Sequence, residues 1–172
     1  MSDKHLGCAI AVSPEAIAKI VAGLHAGNRP VVVTLEDGSE VSAKMEIDVD
    51  ADLSNDGDWF GQVQSCRYGD PRPKGFNGNA EKLTARNYQV WWQPPSDVER
   101  GTDSFKSLRE RVAGYYLEHW YYVGIVVERT SYCETDKRYT REQSASVWGI
   151  ESDANADYLS EVVTDLLCQL DD

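Results

Sequence analysis

The chain has 172 residues, 41% hydrophobic and 27% charged, with a net charge of −12. These proportions suit an ordered globular protein and exclude a disordered or fibrous one. A field of this sign repels nucleic-acid phosphates and favours basic partners.

The length suits a single domain spanning 1–172, with residues 94–103 as the place where a seam between two subdomains would fall. No apolar run reaches membrane-spanning length, and the start "MSDKHLGCAIAVSPEAIAK" lacks a basic n-region followed by a long apolar stretch, so the expected address is the cytoplasm, with no membrane contact. Four cysteines, Cys8, Cys66, Cys133 and Cys168, lie too far apart for a paired zinc motif or a dense disulfide scaffold. They are expected to be reduced and structural.

The first element is a helix. Ser13 reads as its N-cap, Pro14 as its first residue, and Ile17, Ile20, Val21 and Leu24 recur at helical spacing before Gly27 stops it. Next, Asp37-Gly38 separates two strand-like runs as a hairpin turn. In the second run Val41, Ala43, Met45, Ile47 and Val49 point one way and Ser42, Lys44, Glu46, Asp48 and Asp50 the other, which predicts a sheet with one wet face.

A third strand is predicted over Trp59–Cys66, followed by the Gly, Pro and Asn-rich loop "RYGDPRPKGFNGNAEKL". "NYQVWWQPP" supplies a fourth, ended by Pro94 and Pro95, which cannot donate ladder hydrogen bonds. Strand alternation puts Tyr88, Val90 and Trp92 on one face and Gln89, Trp91 and Gln93 on the other, so Trp92 is expected in the core and Trp91 under a partner or the preceding loop.

A second helix is predicted from Asp103 or Ser104 to about Trp120, with Phe105, Leu108, Val112, Tyr115 and Tyr116 inward. "YYVGIVVE" and "SASVWGIE" form a long hairpin through the polar connection around "CETDK". A last helix runs from about Ala156 to Leu170, with Leu159, Val162, Val163, Leu166, Leu167 and Leu170 inward. The order predicts an α+β fold, antiparallel hairpins with about three helices packed on one face.

Charge is uneven. Residues 1–66 carry 4 basic and 11 acidic side chains, residues 67–95 carry 5 and 2, and residues 96–172 carry 8 and 16. In the middle window Arg67, Arg72, Lys74, Lys82 and Arg86 interleave with Tyr68, Phe76, Tyr88 and Trp91, the composition of single-stranded nucleic-acid sites; the alternative is that the cations pair with acids of the same chain. On the last helix Asp157, Glu161 and Asp165 lie four apart, a row able to imitate DNA phosphates or to stand as a solvated face.

Other chemistry finds little footing. Asp52, Ser54, Asp56, Gly57 and Asp58 follow the start of a calcium loop, but position twelve is Val63 where a bidentate Glu is required, so no metal and no cofactor are expected. The three histidines, at 5, 25 and 119, suggest no nucleophile and base beyond a conceivable Cys133 and His119, and "GFNGNAEKL" lacks the lysine and hydroxyl of a phosphate loop. The expectation is a protein that is not an enzyme.

The segments "RPKGFNGNAEKL…YQVWWQPP" and "WYYVGIVVE…SASVWGIESDANADYL", between Arg72 and Leu159, resemble parts of small uncharacterised proteins encoded by bacteriophages and prophages. The resemblance implies an accessory protein of a mobile element, acting in the bacterial cytoplasm. Such a setting points to a host protein as partner, a nucleic-acid-handling enzyme or complex of a restriction or CRISPR system. Two readings stand beside it, a single-stranded nucleic-acid module using residues 67–92 and an enzyme with an unrecognised site. Apolar surface on the first hairpin would also serve a homodimer.

Overall fold

The computed structural model describes residues 12–27, 29–53, 57–84 and 89–171. The chain divides into two compact units, residues 1–48 with 122–172, and residues 49–121 between them. The boundaries fall at 48/49 and 121/122, so residues 94–103 lie inside the second unit. Antiparallel sheets and helices make up both units, an α+β architecture.

In the first unit, Ser13 caps helix α1 (Pro14–Ala26) by accepting the Ala16 N–H, and Gly27 closes it at φ 88° with its N–H bonded to the Leu24 carbonyl. Strands β1 (Val31–Thr34) and β2 (Glu40–Ile47) form the hairpin expected at Asp37-Gly38, where Gly38 takes φ 82°. The element after the second unit is strand β6 (Tyr122–Cys133), which pairs antiparallel with β2 from Glu40↔Thr130 to Ile47↔Val123. Strand β7 (Arg138–Glu151) completes the hairpin through the turn at 134–137, giving the order β1-β2-β6-β7.

One face of this sheet is dry. Val33, Val41, Ala43, Ile125, Val127, Ala145 and Ile150 are buried there against α1 and helix α4 (Ala156–Cys168), which contributes Leu159, Val163, Leu166 and Leu167. Asn155 caps α4 by accepting the Tyr158 N–H at 2.9 Å, and a 3₁₀ turn, Gln169–Asp171, follows and buries Leu170. The alternation of β2 holds only part of the way: Val41 and Ala43 are fully buried, but Ile47 is 63% exposed and Val49 lies beyond the strand in solvent.

In the second unit, short helix α2 (Gly57–Phe60) precedes strand β3 (Gln62–Cys66), so the strand begins three residues later than Trp59. Gly61 explains the break. It takes φ 83°, and a β-carbon there would lie 2.1 Å from the Gln93 carbonyl oxygen, a junction that only glycine fits. Strands β4 (Glu81–Thr84) and β5 (Gln89–Gln93) place β5 in the centre of a sheet ordered β3-β5-β4. Helix α3 (Asp103–Tyr116) is capped by Thr102 and stops four residues short of Trp120, because Glu118 at φ 61° turns the chain so that the His119 N–H bonds the Gly114 carbonyl.

Trp92 anchors this unit as expected of the core-facing indole. It is wholly buried, donates its Nε1–H to the Phe60 carbonyl at 2.6 Å and meets the Phe105 ring at 5.3 Å. Tyr115 and Phe60 close on Trp120 from 5.1 and 5.9 Å, forming an aromatic cluster under α3.

Truncating Leu159 to Ala, which removes wholly buried methyls, is expected to cost ~2–5 kcal/mol of stability, whereas Ile47→Ala at the exposed end of β2 stays within ~0.5 kcal/mol of the parent. Urea unfolding of the full chain followed by circular dichroism checks the contrast.

Candidate functional site

Two surfaces carry the sequence-derived candidates. The first is the outer row of α4. The burial of Leu159, Val163 and Leu166 fixes the rotation of the helix, and that rotation turns Asp157, Glu161 and Asp165 into solvent, with half-exposed Tyr158 beside them. Among the described residues no cation pairs with any of the three.

Several acids elsewhere are paired. Glu81 receives both Arg100 and Arg109 at 2.7 Å, Asp37 receives Arg129 at 2.6 Å, and Glu46 and Glu128 are matched by Lys44 and Arg141 at 2.7 and 3.2 Å. The α4 row is a concentration of negative charge that no cation of the described residues pairs with.

The second surface is the basic, aromatic window. On the face of the second sheet opposite Trp92, Trp91 stands between Gln89 and Gln93, with Lys82 directly across from it in β4. The Lys82 ammonium lies 5.1 Å from the Trp91 ring centre and donates to the Asp70 carbonyl at 2.8 Å. Asn77 donates its backbone N–H to the Gln93 side chain at 2.5 Å, and Arg72 donates to the Asn77 carbonyl at 2.8 Å. These bonds draw the 67–80 loop over the sheet, so the lid on Trp91 is the loop itself.

The consequence for the candidate residues is specific. Arg72 and Lys82 are occupied by main-chain carbonyls of the loop, Phe76 is half-buried, and Arg67 and Lys74 point outward. Arg86 and Tyr88 lie outside the described residues. The indole N–H of Trp91 and the side-chain Oε1 of Gln89 are enclosed with no hydrogen-bond partner among the described residues.

The remaining candidates are scattered. Asp52 is exposed, while Ser54, Asp56 and the side chain of Asp58 fall outside the described residues, and Val63 pairs with Trp92 inside β3. Among the described residues no group of three metal-ligating side chains gathers. His25 contacts the Ala154 carbonyl at 3.0 Å, His119 is exposed just after α3, and His5 and Cys8 are outside the described residues. Cys66, Cys133 and Cys168 are free thiols. A pocket of about 300 Å³ opens beside the start of α4, lined by Gly149, Ile150, Glu151, Ala154, Asn155 and Tyr158, and it holds no nucleophile paired with a base.

No protein-family model matches the chain, and no curated protein and no solved structure shows significant similarity to it. Among the described residues no helix is long and apolar enough to cross a membrane.

One feature escaped sequence reasoning. The wet face of the four-stranded sheet carries exposed Trp148, Tyr132 and Tyr139, which the strand pattern treated as ordinary hairpin residues. Their grouping depends on cross-strand register, and only the alternation of β6 and β7 taken together would have exposed it.

Asp37 shows how the hairpin turn is held. Ser39 donates both its hydroxyl and its backbone N–H to Asp37 Oδ1, and these bonds, reinforced by Arg129, hold the carboxyl below its usual 3.8. A carboxyl lowered by folding adds stability above its unfolded pKa and loses it as pH falls through the folded value. The acid-side fall in melting temperature below about pH 3.8 should therefore be shallower in Asp37→Asn than in the parent, as thermal melts across pH 2–5 would show.

The loop lid makes a second expectation. Lys82→Ala removes the ammonium that joins Trp91 to Asp70, so limited trypsin should cut after exposed Lys74 several-fold faster than in the parent. Mass spectrometry of timed digests reads the site.

Proposed function

We propose that this chain is a non-enzymatic binding protein that engages a basic surface of a host protein through the acidic face of α4. The single observation behind this reading is the row Asp157, Glu161 and Asp165, three exposed carboxylates one turn apart on one helix face with no cation paired to them among the described residues. Carboxylates one helical turn apart, about 6 Å, repel each other, so a partner that brings lysines or arginines to the row relieves a cost already present in the free protein. Spacing of this kind is within the range of successive phosphates on a nucleic-acid strand. The natural class of partner is therefore a protein built to grip nucleic acid, and blocking that grip is how an accessory protein of a mobile element would disarm a host restriction or CRISPR system.

Direct binding of single-stranded nucleic acid through residues 67–92 has less support. A stacking platform needs a free ring face and free cations, yet Lys82 sits against Trp91 and both Lys82 and Arg72 are held by loop carbonyls.

Immobilised full-length chain is expected to retain, from bacterial lysate at low salt, proteins that duplex DNA releases when it is added to the column. The triple change Asp157→Asn, Glu161→Gln and Asp165→Asn should reduce that retention at least tenfold while leaving the circular dichroism spectrum unchanged. Equal retention by parent and triple variant would sink the proposal.

A further inference from the structure

The open face of the four-stranded sheet, opposite α1 and α4, is built for a ligand of a different kind. At one end lies Trp148. The register between β6 and β7 slips between Val123 and Ile125, where Gly149 at φ 78° is the extra residue of a bulge, and the Gly149 N–H is tied to Asp48 Oδ2 at 3.0 Å. The bulge lays the indole across Gly124: a β-carbon at position 124 would come within 2.2 Å of the Trp148 ring. Trp148 Nε1–H donates to Ser146 at 3.3 Å, which fixes the ring from its edge. The indole is thus a flat plate, glycine beneath it, tethered at its rim and 47% exposed.

At the other end, Tyr132 and Tyr139 face each other across the strands with ring centres 5.3 Å apart and exposures of 42% and 58%. From Gly124 to Tyr132 is eight strand residues, about 26 Å at ~3.3 Å per residue. The cross-strand pairs between them are Val126/Ser146, Glu128/Ser144 and Thr130/Arg141, mostly short hydroxyls and charges, with Lys44 and Glu46 alongside on β2.

The charges on this strip cancel. Lys44 pairs with Glu46 at 2.7 Å, and Arg141 pairs with Glu128 at 3.2 Å and also donates to the Ser144 hydroxyl. Among the described residues Glu40 is left over on the face and Asp48, which holds the Gly149 N–H, adds a carboxylate at the Trp148 end, against −12 for the whole chain. A surface that is nearly neutral on a strongly acidic protein selects neither phosphate nor a basic peptide. It still offers many donors and acceptors, because a paired carboxylate or guanidinium keeps further lone pairs and N–H groups for hydroxyls.

We propose that this face binds an extended, uncharged polysaccharide. Aromatic plates take the C–H faces of sugar rings, the intervening hydroxyls and ion pairs take sugar hydroxyls, and a flat strip with a platform at each end suits a chain of several sugars better than a small molecule, which needs a concave pocket. The proposal is independent of the α4 reading, since α4 covers the other side of the sheet.

The test is native affinity electrophoresis of the full chain through gels containing hydroxyethyl cellulose, galactomannan, mixed-linkage β-glucan or dextran, with polygalacturonate as the charged control. Retardation by at least one neutral polymer is expected, weakened about tenfold in Trp148→Ala and in Tyr139→Ala and largely kept in Trp148→Phe. The α4 triple variant should be retarded like the parent, which separates this surface from the acidic row. No retardation by any of the four neutral polymers, retardation by polygalacturonate alone, or retardation unchanged in both alanine variants with melting temperatures intact would each overturn the proposal.

Discussion

The pairing of β2 with β6 is the contact on which the first unit depends. Residues 49–121 separate these strands in the chain, yet they match over eight positions, and the two hairpins become one sheet only through them. That junction costs loop-closure entropy before it returns any contact. It is repaid by aligning Ala43 with Val127 and Met45 with Ile125 on the side that α1 and α4 cover, so that one apolar layer is shared by elements from both ends of the sequence. The second unit has buried residues of its own, Trp92, Phe105 and Val112 among them.

The same pairing also divides the surface of the first unit. On the helix side, the rotation that buries Leu159 and Val163 leaves the carboxylates of α4 pointing outward, with no cation paired to them among the described residues. On the open side, Lys44, Glu46, Glu128 and Arg141 lie on neighbouring strands and neutralise one another. One sheet thus presents a charged surface through its helix layer and a nearly neutral, aromatic one on its bare face. Ion pairs as exposed as these add little to stability. Their importance here is the surface they create.

Much of this order was legible in the chain because it is local. Ser13-Pro14 and Gly27 bound α1, Asp37-Gly38 places the first turn, and the leucine and valine spacing of α4 gives both its buried stripe and its acidic row. Strand alternation also separates Trp92 from Trp91 correctly. What was not legible is set by partners distant in sequence. The early strand at Trp59 fails because the Gly61 backbone must pass against Gln93, and Trp59 itself ends 80% exposed on a helical turn. The second helix ends early because Trp120 is claimed by Tyr115, Phe60 and the Arg111 carbonyl. For Arg72 and Lys82 neither expectation, a nucleic-acid site or pairing with acids of the chain, named the main-chain carbonyls that hold them, since such an acceptor leaves no trace in composition. The Trp148 plate stayed hidden because its seat, Gly124, lies on the other strand of the hairpin.

The β2–β6 register is the claim that everything in the first unit rests on, and cross-strand proton contacts measure it directly. In an isotope-labelled sample, nuclear Overhauser effects are expected between backbone protons of Ala43 and Val127 and of Met45 and Ile125, the pairs that face each other. Contacts shifted by one residue would turn Val41 and Ala43 onto the open face and contradict the account, and so would the absence of any contact between the two strands.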